Sequence, residues 1–329
     1  MTYDLAYAYP RLGWFDKVVT VLTWTCAVGI FATVGWMAIG PDDPRGAVSV
    51  SIGQVPAVIP QVAALAAAVA GIVTAVIGRK LPDAGTFAVA VGLAAANLQG
   101  SPSSYLLTHV VKPDAAARQG LCVSLAAEGL VWFVVIAVAA VVSGVVMRWC
   151  YGRPDAEGAC ADGRLASLAV ADVPVLGEMV CGPRALADRP SPRIGLLHGG
   201  VTALVALFLI RVLAAGSPER TIQHGQVYFS LAAAFYLGTY VAHRAFPVRT
   251  PLWGCLAVPA VCIVGYVWTI MRAGGAGPYA QIASVPPTVF LRALPLEYIS
   301  VGTAAVVASF WSRPHMHEHA KPKERASSR

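Results

Sequence analysis

Apolar residues along this chain gather into eight long runs, with the polar residues falling between them. The runs are Val18–Ile39, Val55–Gly78, Ala84–Leu98, Leu121–Cys150, Ile194–Ala215, Gln226–Ala245, Leu252–Met271 and Thr288–Trp311. A helix of about 20 apolar residues covers the ~30 Å hydrocarbon core of a bilayer. Inside that core a backbone must bond to itself, which favours helices. The pattern predicts an all-α integral membrane protein, a bundle of eight transmembrane helices. The third run has 15 residues and reads as a short helix or a re-entrant segment. The first has 22 residues, longer than the roughly 7–15 of a cleavable signal, and is expected to be a spanning helix.

Composition agrees. The chain is 57% hydrophobic and 12% charged, against about 25% charged in soluble proteins. The net charge of +7 raises the question of nucleic acid, but basic residues also collect on the cytoplasmic side during membrane insertion. The expected partner is the lipid bilayer, with other membrane subunits or a second copy beside it, and no nucleic acid. The seven cysteines show no CxxC spacing, and Cys26, Cys122, Cys255 and Cys262 fall within apolar runs as small buried residues.

The distribution of basic residues tests the helix count. If all eight runs cross, one side holds Arg11, Lys17, Arg79, Lys80, Arg148, Arg153, Arg164, Arg184, Arg189, Arg193, Arg244, Arg249 and the basic residues of the C-tail, 17 in all. The other holds seven: Arg45, Lys112, Arg118, Arg211, Arg220, Arg272 and Arg292. This asymmetry places both termini in the cytoplasm of a bacterial inner membrane. Removing the third run would put the N-terminus and the central loop on opposite faces. Trp14, Trp36, Trp149, Trp253 and Trp311 fall near the ends of runs, where amphipathic rings favour the interface. The organisation expected is a first four-helix half (1–150), a cytoplasmic linker (151–193), a second half (194–312) and a disordered basic tail containing histidines (313–329). Within the linker, LASLAVADVPVLGEMV reads as a short interfacial helix.

The halves carry similar features at a similar offset. Leu65-Ala66-Ala67-Ala68 recurs as Leu231-Ala232-Ala233-Ala234, and Arg79 and Pro82 recur as Arg244 and Pro247, 165 residues later. Ala139-Ala140-Val141-Val142 recurs at Ala304-Ala305-Val306-Val307, and Glu128 has a counterpart in Glu297. Each half begins on the inside, so the predicted relation is two parallel four-helix repeats about an axis along the membrane normal. Ala- and Val-rich helices also produce such matches by chance.

Charges at bilayer depth cost about 2.5–3.5 kcal/mol each and call for a reason. Glu128 and Glu297, one in the fourth run and one in the eighth, form a candidate intramembrane polar site toward the outer face. Arg211 and Arg292 at similar depth are the expected partners. Such a pair serves either as a proton- or cation-responsive site or as a static packing contact. Glu297 has a further reading: if Pro295 opens the helix, the acid sits in its first turn, where the macrodipole favours it. His198 and His243 share the inner side; they suggest haem ligands or, more simply, interface histidines bonded to carbonyls, with Tyr240 a partner for His243. His315, His317 and His319 alternate in the tail as a weak metal-binding pattern with nothing around it to orient the ligands. Ala84, Ala88, Gly92 and Ala96 recur every four residues, a line that admits a close helix neighbour. Asn97 and Gln99 beyond them need partners, and Pro259 frees a carbonyl in the seventh run.

No catalytic, cofactor or nucleotide motif stands out, so no enzyme activity and no cofactor are expected. The best-supported function is a transporter-like permease for a small solute or ion. The alternatives are a non-catalytic subunit or scaffold of a membrane complex and, third, a haem-binding electron-transfer subunit.

Overall fold

The computed structural model describes residues 12–41, 46–50, 58–81, 83–106, 115–151, 192–214, 224–248, 250–273 and 288–312. The interfacial helix expected in the linker, the tail with His315, His317 and His319, and Cys160 and Cys181 lie outside them. The regular structure of the described residues is helical. Helices cover each apolar run: α1 (Trp14–Ile39), α2 (Val58–Ile77), α3 (Ala84–Asn97), α4 (Ala115–Tyr151), α5 (Pro192–Leu213), α6 (His224–Ala245), α7 (Leu252–Ala273) and α8 (Pro295–Trp311). Five of them, α1, α2, α4, α5 and α7, are long and apolar enough to cross a membrane.

The remaining three differ for a physical reason. In α3 eleven of the fourteen residues are buried, and in α8 fourteen of the seventeen are buried. These two helices occupy the centre and are wrapped by their neighbours, so protein rather than lipid surrounds them. A helix of 14 residues is about 21 Å long, and the ~30 Å requirement applies to surfaces that meet lipid. The polar residues of α6, among them His224, Tyr228 and Ser230, lower its apolar character. The outer faces are apolar: Met37, Leu204, Phe208 and Phe229 are each at least 65% exposed. Large apolar side chains exposed on helix after helix suit a lipid solvent and not water.

The packing order is regular. α4 lies along α2, and α8 lies along α6. α1 packs on α3, and α5 packs on α7. Across the halves α3 packs on α8 and α4 on α7, while α4 and α8 meet at the centre. Two contacts depart from this order: α5 and α6 pack far more closely than α1 and α2, and α2 meets α3 more closely than α6 meets α7.

Glycines set the close approaches. A Cβ on Gly85 would meet Thr74 Oγ1, the Ala70 carbonyl oxygen at 2.5 Å and Ser143 Oγ at 2.5 Å, so α3 touches both α2 and α4 there. A Cβ on Gly92 would run into the Phe31 ring. Phe31 opens a π-helical turn, Phe31–Gly35, within α1. That turn widens the helix and leaves the fully buried Phe31 against the small-residue line of α3. The line from Ala84 to Ala96 is thus a packing face, with α1 as a neighbour. α7 continues as a helix through Pro259.

The described contacts divide between two ends of the bundle. At one end Lys80 pairs with Asp16, Trp24 and Trp311 stack at 5.6 Å with Phe87 beside both, and Tyr236 donates to Ser312. At the other, Ser101 N–H donates to the Gly46 carbonyl and Gln99 Nε2 to the Ala32 carbonyl. α3 runs from the first end to the second. Trp14 and Trp149 are 80% and 86% exposed at helix ends, as interfacial rings should be. Trp311 and Trp253 instead pack inward, Trp253 against Gly195.

Candidate functional site

The second end of the bundle holds a buried polar layer built from loops and helix termini. Residues 46–50 carry Ala47, Val48 and Ser49 into the interior. A 3-10 turn, Val289–Arg292, followed by extended Ala293 and Leu294, leads into α8. Backbone without a helix at this depth needs side-chain partners. Tyrosines supply them: Tyr266 donates to the Ala293 carbonyl at 2.8 Å and Tyr298 to the Phe290 carbonyl at 3.0 Å.

Both expected acids are in this layer. Glu128 is 2% exposed, and α4 begins at Ala115, so the acid is several turns inside its helix. Ser49 Oγ donates to its Oε2 at 2.7 Å, and Trp132 Nε1, one turn along, donates to its Oε1 at 3.0 Å. Glu297 is 1% exposed and lies in the first turn of α8 after Pro295. Its Oε2 accepts the Leu294 N–H at 2.7 Å, closing a helix cap as the Pro295 reading anticipates. α4 approaches α7 and the start of α8 beside the acids: the Cβ position of Gly129 is 2.9 Å from Cys262 Sγ and 4.0 Å from Pro295 Cβ. Tyr266 of α7 is within electrostatic range of both carboxylates.

The arginines are not their partners. Arg292 is buried, but its Nη1 donates to the Ala214 carbonyl at 2.7 Å, tying the start of α8 to the end of α5. Arg211 is exposed on α5. Equal depth along the membrane normal did not imply facing directions around the bundle, so the expected pairing with Arg211 or Arg292 is corrected: among the described residues Ser49 and Trp132 hold Glu128.

The residue that pairs with Glu297 is His224, at the start of α6 ahead of its apolar run. His224 Nδ1 is 2.8 Å from Glu297 Oε1, and Nε2 is 3.0 Å from the Gly100 carbonyl oxygen beyond α3. The hydrogen bond it donates to the Glu297 carboxylate holds the imidazole above its ordinary value of 6.5, partly opposed by desolvation. One turn along α6, Tyr228 donates to the Ala94 carbonyl at 2.9 Å and accepts from Asn97 Nδ2 at 3.2 Å. Asn97 Oδ1 is buried and makes no hydrogen bond. The amide nitrogens of Asn97 and Gln99 thus have the partners they were expected to need, and the Asn97 oxygen does not. Every link from His224 and Tyr228 to α3 joins the second half of the chain to the first. The sequence reading missed His224 because it stands in a short polar loop. The available signal was His224 and Tyr228 at i, i+4, which share a helix face.

At the opposite end His198 and His243 do come together, with ring centroids 6.0 Å apart. His198 Nδ1 is 3.0 Å from the Phe246 carbonyl oxygen, and His243 Nδ1 accepts the Val248 N–H at 3.4 Å. Both therefore brace the chain leaving α6, His198 at a carbonyl as expected and His243 at a backbone N–H. Tyr240 bonds Arg244 at 3.2 Å and not His243. Among the described residues no three His, Cys, Asp or Glu side chains gather as metal ligands.

No family model, curated protein or solved structure matches the chain.

Proposed function

We propose that the chain is a transporter-like permease for a small solute or ion, with all eight helices crossing a bacterial inner membrane as two parallel four-helix repeats. The observation that carries this reading is the position of Glu128 and Glu297, in one buried polar layer where α4 approaches α7 and the start of α8. Buried acids at the meeting of two halves suit a site that binds a cation or proton. The packing order supports the repeat. Exchanging α1–α4 for α5–α8 maps α2–α4 onto α6–α8, α1–α3 onto α5–α7, and α3–α8 onto α7–α4. Side chains follow the exchange: Thr74 of α2 meets Gly85 of α3, and Thr239 of α6, 165 residues later, has its Oγ1 3.5 Å from the Cβ position of Gly254 in α7.

The test is flux through purified protein in liposomes loaded with a pH-sensitive dye, with a potassium–valinomycin potential driving protons. The expected result is protein-dependent proton entry that Glu128→Gln abolishes or uncouples while the protein stays folded. A second reading, a non-catalytic subunit or scaffold, is favoured by the carboxylates already being hydrogen-bonded by their own chain. It predicts no flux in either protein, stoichiometric partners on purification, and weaker assembly in the variant. Nothing in the His198–His243 pair favours the haem reading.

A further inference from the structure

The contacts of His224 count a proton. Its Nε2 faces the Gly100 carbonyl oxygen, which only accepts, so Nε2 must carry a hydrogen. Its Nδ1 faces Glu297 Oε1 at 2.8 Å, too close for two lone pairs. Two arrangements satisfy both contacts. Either the imidazole is doubly protonated and donates to a carboxylate, or it is neutral and accepts from a protonated Glu297. Both hold one proton more than the neutral imidazole with ionised carboxylate. In that deprotonated form one of the two bonds must break, because the single ring N–H cannot serve both acceptors.

We infer that His224 and Glu297 form a one-proton site that latches α6 and α8 to the end of α3, and that loss of the proton releases this junction between the halves. The location suits the role. Glu297 is fixed by the Leu294 N–H and cannot swing to follow a ring that turns away. The Gly100 carbonyl sits on a turn held by Ser101 N–H on Gly46 and by Gly100 N–H on Asn97. Among the described residues the ionisable side chains facing the pair are the phenols of Tyr228 on α6, Tyr298 on α8 and Tyr266 on α7, whose ordinary range lies well above that of histidine. α3 and its following turn contribute Asn97, Gln99 and backbone. The raised affinity of His224 for its proton agrees with the arrangement. The site stands whether or not the chain moves a solute.

Hydrogen–deuterium exchange of the full chain in lipid nanodiscs, at pH 5.5 and 8.5 and corrected for intrinsic exchange, tests it. Peptides over 96–101 and 224–230 are expected to exchange about tenfold faster at the higher pH, as loss of a charge-assisted bond implies. Glu297→Gln is the decisive variant. Its amide oxygen accepts from Leu294 and its amide N–H donates to a neutral His224, so every bond survives deprotonation. Protection in this variant is expected to persist at pH 8.5. His224→Gln, which donates to Glu297 without titrating, is expected to flatten the pH dependence as well. Corrected exchange that is equal at both pH values in the unmodified protein, or either variant loosening with pH as that protein does, overturns the site.

Discussion

A carboxylate in the middle of a membrane helix depends on donors, and Glu128 receives one from a helix turn away and one from a loop. Glu128→Gln keeps these two contacts, because the amide oxygen accepts from Trp132 while the amide N–H donates to the Ser49 hydroxyl. Trp132→Phe leaves a buried oxygen without this donor and should cost about 1–3 kcal/mol, more than Glu128→Gln loses at these contacts. Denaturation of the two purified variants in mixed micelles checks the order; equal losses would mean that the indole N–H does not matter. The sign of the His224 effect follows from its raised value. Its contribution is fully present below the ordinary 6.5 and is lost as pH rises through the raised value. The difference in thermal midpoint between the unmodified protein and His224→Phe should therefore be largest near pH 5.5 and shrink toward pH 8.5. At this scale the sequence was only partly legible. Both acids were visible because charge in an apolar run is conspicuous, and the cap on Glu297 followed from Pro295. Ser49, Trp132 and His224 were not visible as their partners, because those pairings depend on how helices rotate about their axes, which depth along the membrane does not fix.

Among the elements, α3 is the one whose fit is most easily broken. The space at Gly85 is bounded by the Ala70 carbonyl of a neighbouring helix, which is backbone and cannot rotate away. Gly85→Ala should therefore push α3 off α2 and α4 and destabilise by about 1–3 kcal/mol, the usual range for overpacking. Gly200 on α5 gives the contrast, since a Cβ there meets nothing within 4 Å. Gly200→Ala should stabilise by roughly 0.5–1 kcal/mol through helix propensity alone. Melting both variants in the same detergent checks the signs, and a Gly85→Ala protein as stable as Gly200→Ala would show that α3 has room the packing denies. All eight apolar runs were legible as helices, since length and hydropathy are properties of one segment. The π-turn at Phe31–Gly35 was not, because it answers to Gly92 on another helix. The shortness of α3 looked like a reason to doubt it until its burial explained it.

For the whole molecule, charge and packing divide the chain between the same two ends. With α3, α6 and α8 crossing along with the five helices that are apolar enough on their own, seventeen basic residues fall on one side, and it is the crossing of α3 that this division requires. Contacts between chain segments reach the same division independently. Lys80, Trp24 with Trp311, and Tyr236 with Ser312 collect at one end, and Gly46, Ser101, His224 and Arg292 collect at the other. On the proposed orientation the first end, continuous with both termini and the central linker, faces the cytoplasm. Reporter fusions after Arg189 and after Arg329 should both read cytoplasmic, and one near Pro113 should read exterior. The Pro113 fusion is the sensitive one. If α3 were a buried cap rather than a crossing, the Pro113 fusion would turn cytoplasmic and the Arg189 and Arg329 fusions exterior, while the order of the first two helices stayed fixed. The proton latch would then face the cell interior, and the pairing of α3 with α8 could no longer mirror that of α7 with α4.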